Sequence, residues 1–380
     1  MATEPDSCPP HEYPLVARSI AVIKAGQAGS GAFVACPAYQ TYNYAWFRDG
    51  TFTARALDLW EEPASADRFY RWACGLIATR VDAVDRCVRA SAAGHQPAES
   101  DLLHTRYLLD GQPGSDDWPN FQLDGFGTLL WGIEQHLRHL GQTLGTSSPS
   151  WELSVRLLVR YLAALWPQPN FDCWEEFPDR IAVSTLAAVY AGLRSAEVML
   201  GRDDPDGARA ATAAEQLRAL VFTSGVAQDH LIKQLGGDDA VDASLLWACT
   251  PFGRRGLLLA TDPVMIATVR RIEADLVGSD GGVHRYRADT FYGGGQWVLL
   301  TALLGEYHAA LGDAERARRC LKVVEAQADA GGLLPEQWST GVLAPGRVHE
   351  WIDRWGPVAK PLLWSHAEYL SLQAAVRSVR

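Results

Sequence analysis

The chain has 380 residues and a formal net charge of -11, and 48% of its residues are hydrophobic against 21% charged. This length exceeds the usual size of one hydrophobic core, although single closed barrels reach it, and the composition is that of a folded protein. An acidic surface repels phosphate backbones and anionic lipid, so neither nucleic-acid nor membrane partners are expected.

The N-terminus lacks a basic region followed by an apolar stretch, and no apolar run approaches the ~20 residues that cross a bilayer. The seven cysteines are scattered and form no C-x-x-C metal or redox pattern. These features predict a cytoplasmic protein with no metal and no cofactor. Residues 1–10 are expected to form a frayed tail.

Helical periodicity dominates the chain, and convincing strand alternation is scarce. Apolar residues spaced i, i+3, i+4 lead up to Gly141, to Pro167 and to Gly201, which are typical helix ends. A cap residue before a proline, in Asp262-Pro263, predicts another helix start. Further helices are predicted over residues 12–26, 51–61, 65–93, 207–222, 296–311, 313–329 and 362–378.

About a dozen helices with alternating short and long connections predict paired inner and outer helices rather than a simple bundle. The long loops hold most of the Gly, Pro, Trp and acidic residues, and loops of such length in a compact domain are usually functional. No Ser/Gly-rich linker divides the chain, so one domain over residues 1–380 is expected. The long loops cover residues 27–50, 94–123, 167–180, 278–295 and 331–361.

Two aromatic segments come first among the candidate site residues. The segment from Tyr42 to Asp49 contains adjacent Arg48 and Asp49, which could grip vicinal sugar hydroxyls or form a structural ion pair at a loop corner. The second segment runs from Trp118 to Asp124. Asp124 is equally well explained as a helix N-cap, whereas Trp118 in a polar loop is the better ligand candidate.

Carboxylates define two further segments. Glu175 and Glu176 follow Trp174, and burial beside a second charge could keep one of them protonated as a general acid. The alternative is an acidic helix N-terminus favoured by the helix dipole. Glu336 follows a Leu-Pro turn and precedes Gln337 and Trp338, so it could hold and deprotonate a water molecule.

The remaining segment runs from Arg285 to Trp297 and includes three consecutive glycines. It does not match the phosphate-binding G-x-x-x-x-G-K-[ST] pattern, so its arginine and aromatic residues fit a rim that binds hydroxyl groups. No H-E-x-x-H or G-x-S-x-G motif is present, which disfavours a zinc protease and a serine-nucleophile hydrolase.

In this order, the five segments resemble glycoside hydrolase family 15, the glucoamylase and glucodextranase family, from about residue 36 to residue 372. The resemblance implies an all-α fold, a single (α/α)6 barrel, and hydrolysis with inversion at the anomeric carbon. The matching residues are Tyr42, Tyr44, Trp46, Arg48, Asp49, Trp118, Gln122, Asp124, Trp174, Glu175, Glu176, Arg285, Tyr286, Asp289, Trp297, Glu336 and Gln337, followed by Leu363-Trp364-Ser365.

The resemblance also implies roles. Glu175 would protonate the glycosidic oxygen and Glu336 would activate water, which for inversion requires the two carboxyls ~6.5–9.5 Å apart. Arg48 and Asp49 would hold the terminal glucose, and Glu176 and Arg285 would bind substrate near the cleavage point. The predicted substrate-binding residues are Tyr42, Trp46, Arg48, Asp49, Trp118, Trp174, Glu176, Arg285, Trp297, Trp338 and Trp351.

Two differences from other members of the family favour a short substrate. The β-sandwich or starch-binding domains carried by many members are not found here, which favours a short oligosaccharide, with isomaltose leading. The segment between Glu336 and Trp364 is longer than expected of glucoamylases. We hypothesise that its residues His349 to Trp355 line the leaving-group side and restrict substrate length.

Other functions stay open at this point. The same fold could support a trehalase or a glucoamylase-type α-1,4 hydrolase, whereas a phosphorylase would lack the base Glu336. A non-catalytic sugar-binding regulatory domain is disfavoured because both carboxylates are present. The expected partners are a small oligosaccharide and the product glucose, and the chain is expected to be a monomer or a weak homo-oligomer.

Overall fold

The computed structural model describes residues 13–114 and 118–379, so the predicted tail and Cys8 lie outside the described residues. The described part forms thirteen α-helices and seven two-residue strands. The helices are α1 (Pro14–Ala25), α2 (Phe47–Leu59), α3 (Pro63–Ala78), α4 (Val81–Ala92), α5 (Asp124–His139), α6 (Pro149–Leu165), α7 (Val183–Leu200), α8 (Pro205–Ser224), α9 (Pro263–Leu276), α10 (Val298–Ala310), α11 (Ala314–Glu325), α12 (Val348–Trp355) and α13 (Leu363–Ser378).

The strands are β1 (Ala45–Trp46), β2 (Arg106–Tyr107), β3 (Val226–Ala227), β4 (His230–Leu231), β5 (Val283–His284), β6 (Gln296–Trp297) and β7 (Gln337–Trp338). They make two antiparallel pairs, β1-β2 and β3-β4, and one antiparallel three-stranded sheet in the order β5-β6-β7. Each strand is too short to form a layer of its own. Their backbone hydrogen bonds hold neighbouring loops together.

Six elements pack side by side into a closed inner ring in the order α2, α5, α7, a 3-10 helix at Ala243–Ala248, α10 and α13, which returns to α2. Helices α1, α3, α6, α8, α9 and α11 pack outside this ring. Inner and outer elements alternate along the chain, so the predicted (α/α)6 architecture is confirmed.

The sequences of the helices explain their layers. Helix α10 is buried at twelve consecutive positions from Val298 to Ala309, as expected of a helix that packs on all sides. Its outer neighbour α11 buries only Ala317, Cys320, Leu321 and Val324 among polar residues. Inner helix α10 is thus buried on all sides, whereas outer helix α11 carries one apolar stripe.

Helices α5 and α7 approach each other backbone to backbone. A side chain on Gly127 would collide with the carbonyl oxygen of Ala188, and one on Gly192 would collide with the carbonyl oxygen of Gly127. Only glycine leaves room for this contact. The close approach sets the spacing of two neighbouring inner helices.

Three local predictions are corrected by the structure. Helix α2 begins at Phe47, so Arg48 and Asp49 lie in a first helical turn rather than in a loop. The predicted helix over 65–93 is two helices, α3 and α4. At their junction the hydroxyl of Thr79 donates to the carbonyl of Leu76, and the next residue, Arg80, has a non-helical backbone conformation. The predicted loop 331–361 contains the helix α12.

Candidate active site

A cavity of about 290 Å³ lies where helices α2, α5, α10 and α13 begin. Twelve of the thirteen predicted site residues line it. They are Tyr42, Trp46, Arg48, Asp49, Trp118, Trp174, Glu175, Glu176, Arg285, Trp297, Glu336 and Trp351.

Trp338 is the predicted site residue that does not line this cavity. It belongs to β7, its ring lies over Gly282, and its indole N–H donates to Asp280 at 3.1 Å. Because its ring and its N–H are taken up by Gly282 and Asp280, a ligand in the cavity meets other tryptophans.

Arg48 lies at the centre of the polar side of the cavity. Its Nη1 donates to Gln122 Oε1 and Asp124 Oδ2, each at 3.1 Å, and Nε lies 3.4 Å from Asp49 Oδ2. Its Nη2 is 4.0 Å from Glu175 Oε1. A single buried guanidinium therefore orients three acidic side chains around one point.

Asp49 remains short of hydrogen-bond partners despite this neighbour. Burial raises the pKa of its carboxyl to about 6, and the Arg48 guanidinium opposes that rise. Its Oδ2 and the Nε of Arg48 are both buried without a hydrogen-bond partner. An acceptor and a donor side by side suit the hydroxyl groups of a sugar, which supply both.

Glu175 occupies a turn with a strained backbone. Its φ of 66° lies in the left-handed region, which non-glycine residues seldom adopt. The carboxylate of Asp172 holds the turn by accepting hydrogen bonds from the backbone N–H groups of Trp174 and Glu176, each at 3.0 Å. The turn projects the Glu175 side chain into the cavity.

The carboxyl of Glu175 is oriented through one oxygen. Trp46 Nε1 donates to its Oε1 at 2.8 Å, and Gln122 Nε2 donates to the same atom at 3.1 Å. With Oε1 held by two donors, Oε2 is the atom that can carry a proton toward a ligand.

Glu336 lies just before β7 and is buried, with Oε2 lacking a hydrogen-bond partner. Burial raises the pKa of its carboxyl to about 8, while hydrogen bonding with Tyr42 and the charge of Arg285 oppose the rise. The pKa of Tyr42 is itself raised by burial and by the charges of Glu336 and Glu175. Both carboxyls therefore lie close enough to Tyr42 to raise the pKa of its hydroxyl.

Glu176 and Arg285 form the second polar cluster. Arg285 Nη2 reaches Glu176 Oε1 at 3.3 Å, and the hydroxyl of Tyr286 donates to Glu176 Oε2 at 2.5 Å. Asp289 fixes the guanidinium from the other side through Nε, at 2.8 Å. The guanidinium lies 5.2 Å from the ring centre of Trp174, so it is also held by an aromatic face.

Helix α12 forms an aromatic wall over the remaining side. The ring of Trp355 stacks on Trp118 with centres 6.2 Å apart, and Trp351 meets Phe291 at 4.9 Å. Arg354 also lines the cavity, with its guanidinium 4.8 Å from the ring centre of Trp355. The wall narrows the space beyond the two carboxyls.

Unsatisfied polar atoms surround the cavity. Buried polar groups in folded proteins almost always have hydrogen-bond partners, so such a concentration indicates a polar ligand. The atoms are Arg48 Nε, Asp49 Oδ2, Trp118 Nε1, Trp297 Nε1, Glu336 Oε2 and Trp351 Nε1.

Some residues of the site were not among the predicted substrate-binding residues. Trp364 lines the cavity, and so does Trp355, which belongs to the segment His349 to Trp355 expected on the leaving-group side. Arg106 lies between the rings of Trp118 and Tyr44, at 3.9 and 4.1 Å. Asp242 accepts the indole N–H of Trp174 at 3.0 Å. The Leu-Trp-Ser segment offered a signal for Trp364, whereas Arg106 and Asp242 have no distinctive sequence context.

Paired carboxyls in an aromatic, hydroxyl-binding pocket on an α/α barrel define a glycoside hydrolase. The family model of glycosyl hydrolases family 15 matches residues 11–341. The chain therefore belongs to glycosyl hydrolase family 15.

Individual relatives agree with this assignment. The chain is 42% identical to the isomaltose glucohydrolase of Kribbella flavida over 362 residues, which are 95% of this chain and 92% of that protein. A glycosidase solved in wild-type form, and as a variant in complex with glucose, matches at 41% identity with a TM-score of 0.90. Each match covers 96% of this chain and 98% of the other.

A more distant structure shares the fold. A bacterial glucoamylase complexed with acarbose matches with a TM-score of 0.74 at 21% identity, over 96% of this chain and 56% of that chain. Among residues 13–114 and 118–379, no helix is long and apolar enough to cross a membrane. Within the same ranges, no group of three or more His, Cys, Asp or Glu residues is arranged to hold a metal ion.

Proposed function

We propose that the protein is an inverting, exo-acting α-glucoside hydrolase that releases β-glucose from the non-reducing end of short substrates. Glu175 is the general acid and Glu336 the general base. The observation that carries this proposal is the single cavity in which both carboxyls, the Arg48–Asp49 pair and the unsatisfied polar atoms meet.

The proposed reaction uses only side chains and water. The terminal glucose binds between Arg48 and Asp49. Glu175 Oε2 gives its proton to the glycosidic oxygen as the bond from that oxygen to the anomeric carbon breaks. Glu336 takes a proton from a water molecule that attacks the opposite face of the same carbon, which inverts its configuration.

The reaction depends on which of the two carboxyls carries the proton. Burial favours the protonated form of Glu336 in the sugar-free cavity, whereas the reaction needs the proton on Glu175. A single proton can lie on Glu336 or on Glu175, and the form with the proton on Glu175 is the one that reacts. The glycosidic oxygen, as the acceptor beside Glu175, selects that arrangement.

We further propose an α-1,6-linked disaccharide of the isomaltose type as the preferred substrate. The rings of Trp351, Trp355 and Trp118 pack together into an aromatic wall, which we expect to accommodate a short leaving group and to exclude a polymer. The 42% identity to an isomaltose glucohydrolase supports the same linkage.

The test compares glucose release from isomaltose, maltose, trehalose and long maltodextrins, with the anomer followed by proton NMR. We expect isomaltose to give the highest kcat/KM and β-glucose to appear first. Glu175→Gln and Glu336→Gln should each lower kcat by orders of magnitude while glucose still binds. A preference for trehalose or for polymer would overturn the substrate proposal, and first appearance of α-glucose would overturn inversion.

A further inference from the structure

Two buried glutamates lie behind the wall of the active-site cavity and take no part in the proposed reaction. Glu306 on α10 is 5% exposed and Glu368 on α13 is fully buried. Arg55 Nη2 lies 3.3 Å from Glu306 Oε2, and Trp364 Nε1 donates to Glu368 Oε1 at 2.8 Å. The other two oxygens, Glu306 Oε1 and Glu368 Oε2, are buried without any donor.

A single proton between the two unpartnered oxygens would give both of them a hydrogen-bond partner. A pair of ionised carboxylates facing Arg55 alone would leave one uncompensated negative charge in the core, which is costly. With one proton, Glu368 Oε2–H donates to Glu306 Oε1. Both orphan atoms are then satisfied, and the cluster with Arg55 becomes neutral.

We propose that Glu306 and Glu368 hold a single shared proton, and that this proton fixes Trp364 as a wall of the glucose-binding cavity. The hydrogen-bond chain runs from the Trp364 indole N–H to Glu368, from the Glu368 carboxyl to Glu306, and from Glu306 to the guanidinium of Arg55. Glu306 and Glu368 are therefore positioning residues rather than catalytic ones.

Trp364 connects this chain to the site. It lines the active-site cavity, stacks on Phe52 with ring centres 5.2 Å apart, and lies 5.5 Å below the guanidinium of Arg48. A displaced Trp364 would move Arg48 and with it Asp49. This functional half of the inference rests on the proposed role of the cavity in binding glucose.

The opposite end of the barrel gives the pair access to solvent. Glu306 lines a second cavity of about 360 Å³ beside the ends of α10 and α13, together with Cys249, Arg254 and Ser378. This cavity lies next to the 3-10 helix Ala243–Ala248, which has only six residues where the other inner elements have thirteen or more. Protons can therefore exchange without passing the sugar-binding side.

The charged and titratable groups around the pair agree with a retained proton. Burial and the charge of Glu306 raise the pKa of Glu368 well above the ordinary range of a glutamate, and the charge of Arg55 on α2 opposes that rise. On the side of the short 3-10 helix, the thiol of Cys249 is uncharged because burial raises its pKa to about 12. Arg254 lies at the rim of the second cavity.

The proton itself is tested without any sugar. Infrared difference spectra at neutral pH, wild type minus variant, should contain the carbonyl stretch of one protonated carboxyl for Glu368→Gln and also for Glu306→Gln. Glu134, a buried glutamate with both oxygens paired to Arg255, is the matched control, and Glu134→Gln should give no such band in its difference spectrum. Absence of the band from the difference spectrum of Glu368→Gln or of Glu306→Gln would overturn the shared proton.

Stability gives a second readout. The native protein keeps a proton that the unfolded chain loses above pH ~4.5, so stability falls as pH rises. The unfolding constant of the wild type, divided by that of Glu368→Gln, should increase as the pH rises above ~5, with a slope that approaches tenfold per pH unit. Parallel pH dependences of the two proteins would contradict the proposal.

The positioning role is tested by glucose binding. The amide of Glu368→Gln can accept from Trp364 and donate to Glu306, so glucose affinity and KM should stay within about twofold of wild type. Glu368→Leu, folded by circular dichroism, should bind glucose about tenfold more weakly. Unchanged glucose binding in the leucine variant would overturn the link to Trp364 while leaving the proposed hydrolysis untouched. If the leucine variant does not fold, Glu368→Met, which has a similar length and no acceptor for the Trp364 N–H, takes its place with the same expected outcome.

Discussion

Trp46 Nε1 donates a hydrogen bond to Glu175 Oε1 at 2.8 Å, joining β1 to the strained turn that carries the proposed acid. The sequence motif predicted Trp46 as a substrate-binding residue. In the structure Trp46 lines the cavity, its N–H orients a carboxyl, and its ring packs against Trp118 with centres 6.1 Å apart. We therefore expect Trp46 to influence the reaction by setting the direction of the proposed proton donor.

Replacing Trp46 with phenylalanine should lower kcat for isomaltose by about tenfold or more, because a hydrogen bond to a carboxyl contributes about 1.5–3 kcal/mol. The KM should change less. Hydrolysis of α-glucosyl fluoride, whose leaving group needs no proton, should be nearly unaffected. Steady-state kinetics on both substrates measure the difference.

The matched control is Trp60→Phe. Trp60 is also a buried tryptophan whose N–H is used, but it donates to the carbonyl of Leu370 at 2.9 Å, away from the cavity. Normal kinetics are expected for this variant. Equal loss of activity on the fluoride and on isomaltose in Trp46→Phe would show that the residue acts on binding and not on protonation.

The pH dependence of the reaction follows from the buried Glu336. Its pKa is raised to about 8, so Glu336 keeps a proton below that pH and loses it above. The acid step needs this proton. We therefore expect kcat/KM for isomaltose to fall about tenfold per pH unit above pH ~8.

The fluoride substrate should behave in the opposite way. It needs only the ionised base, so its kcat/KM should increase as pH rises through ~8 and then level off. Circular dichroism over the same range controls for unfolding. Identical profiles for both substrates would contradict the assignment of the two carboxyls.

Helix α12 was not predicted, and the reason is physical. Eight residues are too few for a stable isolated helix, so its formation depends on packing of Trp351 and Trp355 against Phe291 and Trp118. The sequence nevertheless led to the hypothesis that this segment lines the leaving-group side, because the stretch between Glu336 and Trp364 is longer than expected of glucoamylases.

Removing Trp355 should widen that side. In Trp355→Ala we expect KM for isomaltose to rise about fivefold, since an aromatic contact of this kind contributes ~1 kcal/mol. The ratio of kcat/KM for a trisaccharide over a disaccharide should rise as well. Kinetics with isomaltose and isomaltotriose give both numbers.

Ile352→Ala serves as the control for Trp355→Ala. Ile352 is on the same helix, is 40% exposed and is not part of the cavity lining. Its removal should leave the substrate-length preference unchanged. A Trp355→Ala variant that retains the wild-type preference would refute the size restriction.

Sequence patterns predicted the barrel better than its details. Apolar periodicity located the long inner and outer helices because each carries enough buried residues to reveal its period. The short inner 3-10 helix gave no such signal. Arg106 was missed because only the pairing of β1 with β2, which sets it opposite Trp46, brings it to the site.

The close contact of α5 and α7 predicts a contrast between two helical glycines. A methyl group at Gly127 would overlap the backbone of Ala188, so Gly127→Ala should lower the free energy of unfolding by about 2 kcal/mol or more. Gly75, within α3, has nothing within 4 Å of the same atom position. Because alanine favours helix more than glycine does, Gly75→Ala should raise the free energy of unfolding by about 0.5–1 kcal/mol. Urea unfolding of both variants checks the pair, and a Gly127→Ala protein as stable as wild type would mean that the two inner helices can separate without cost.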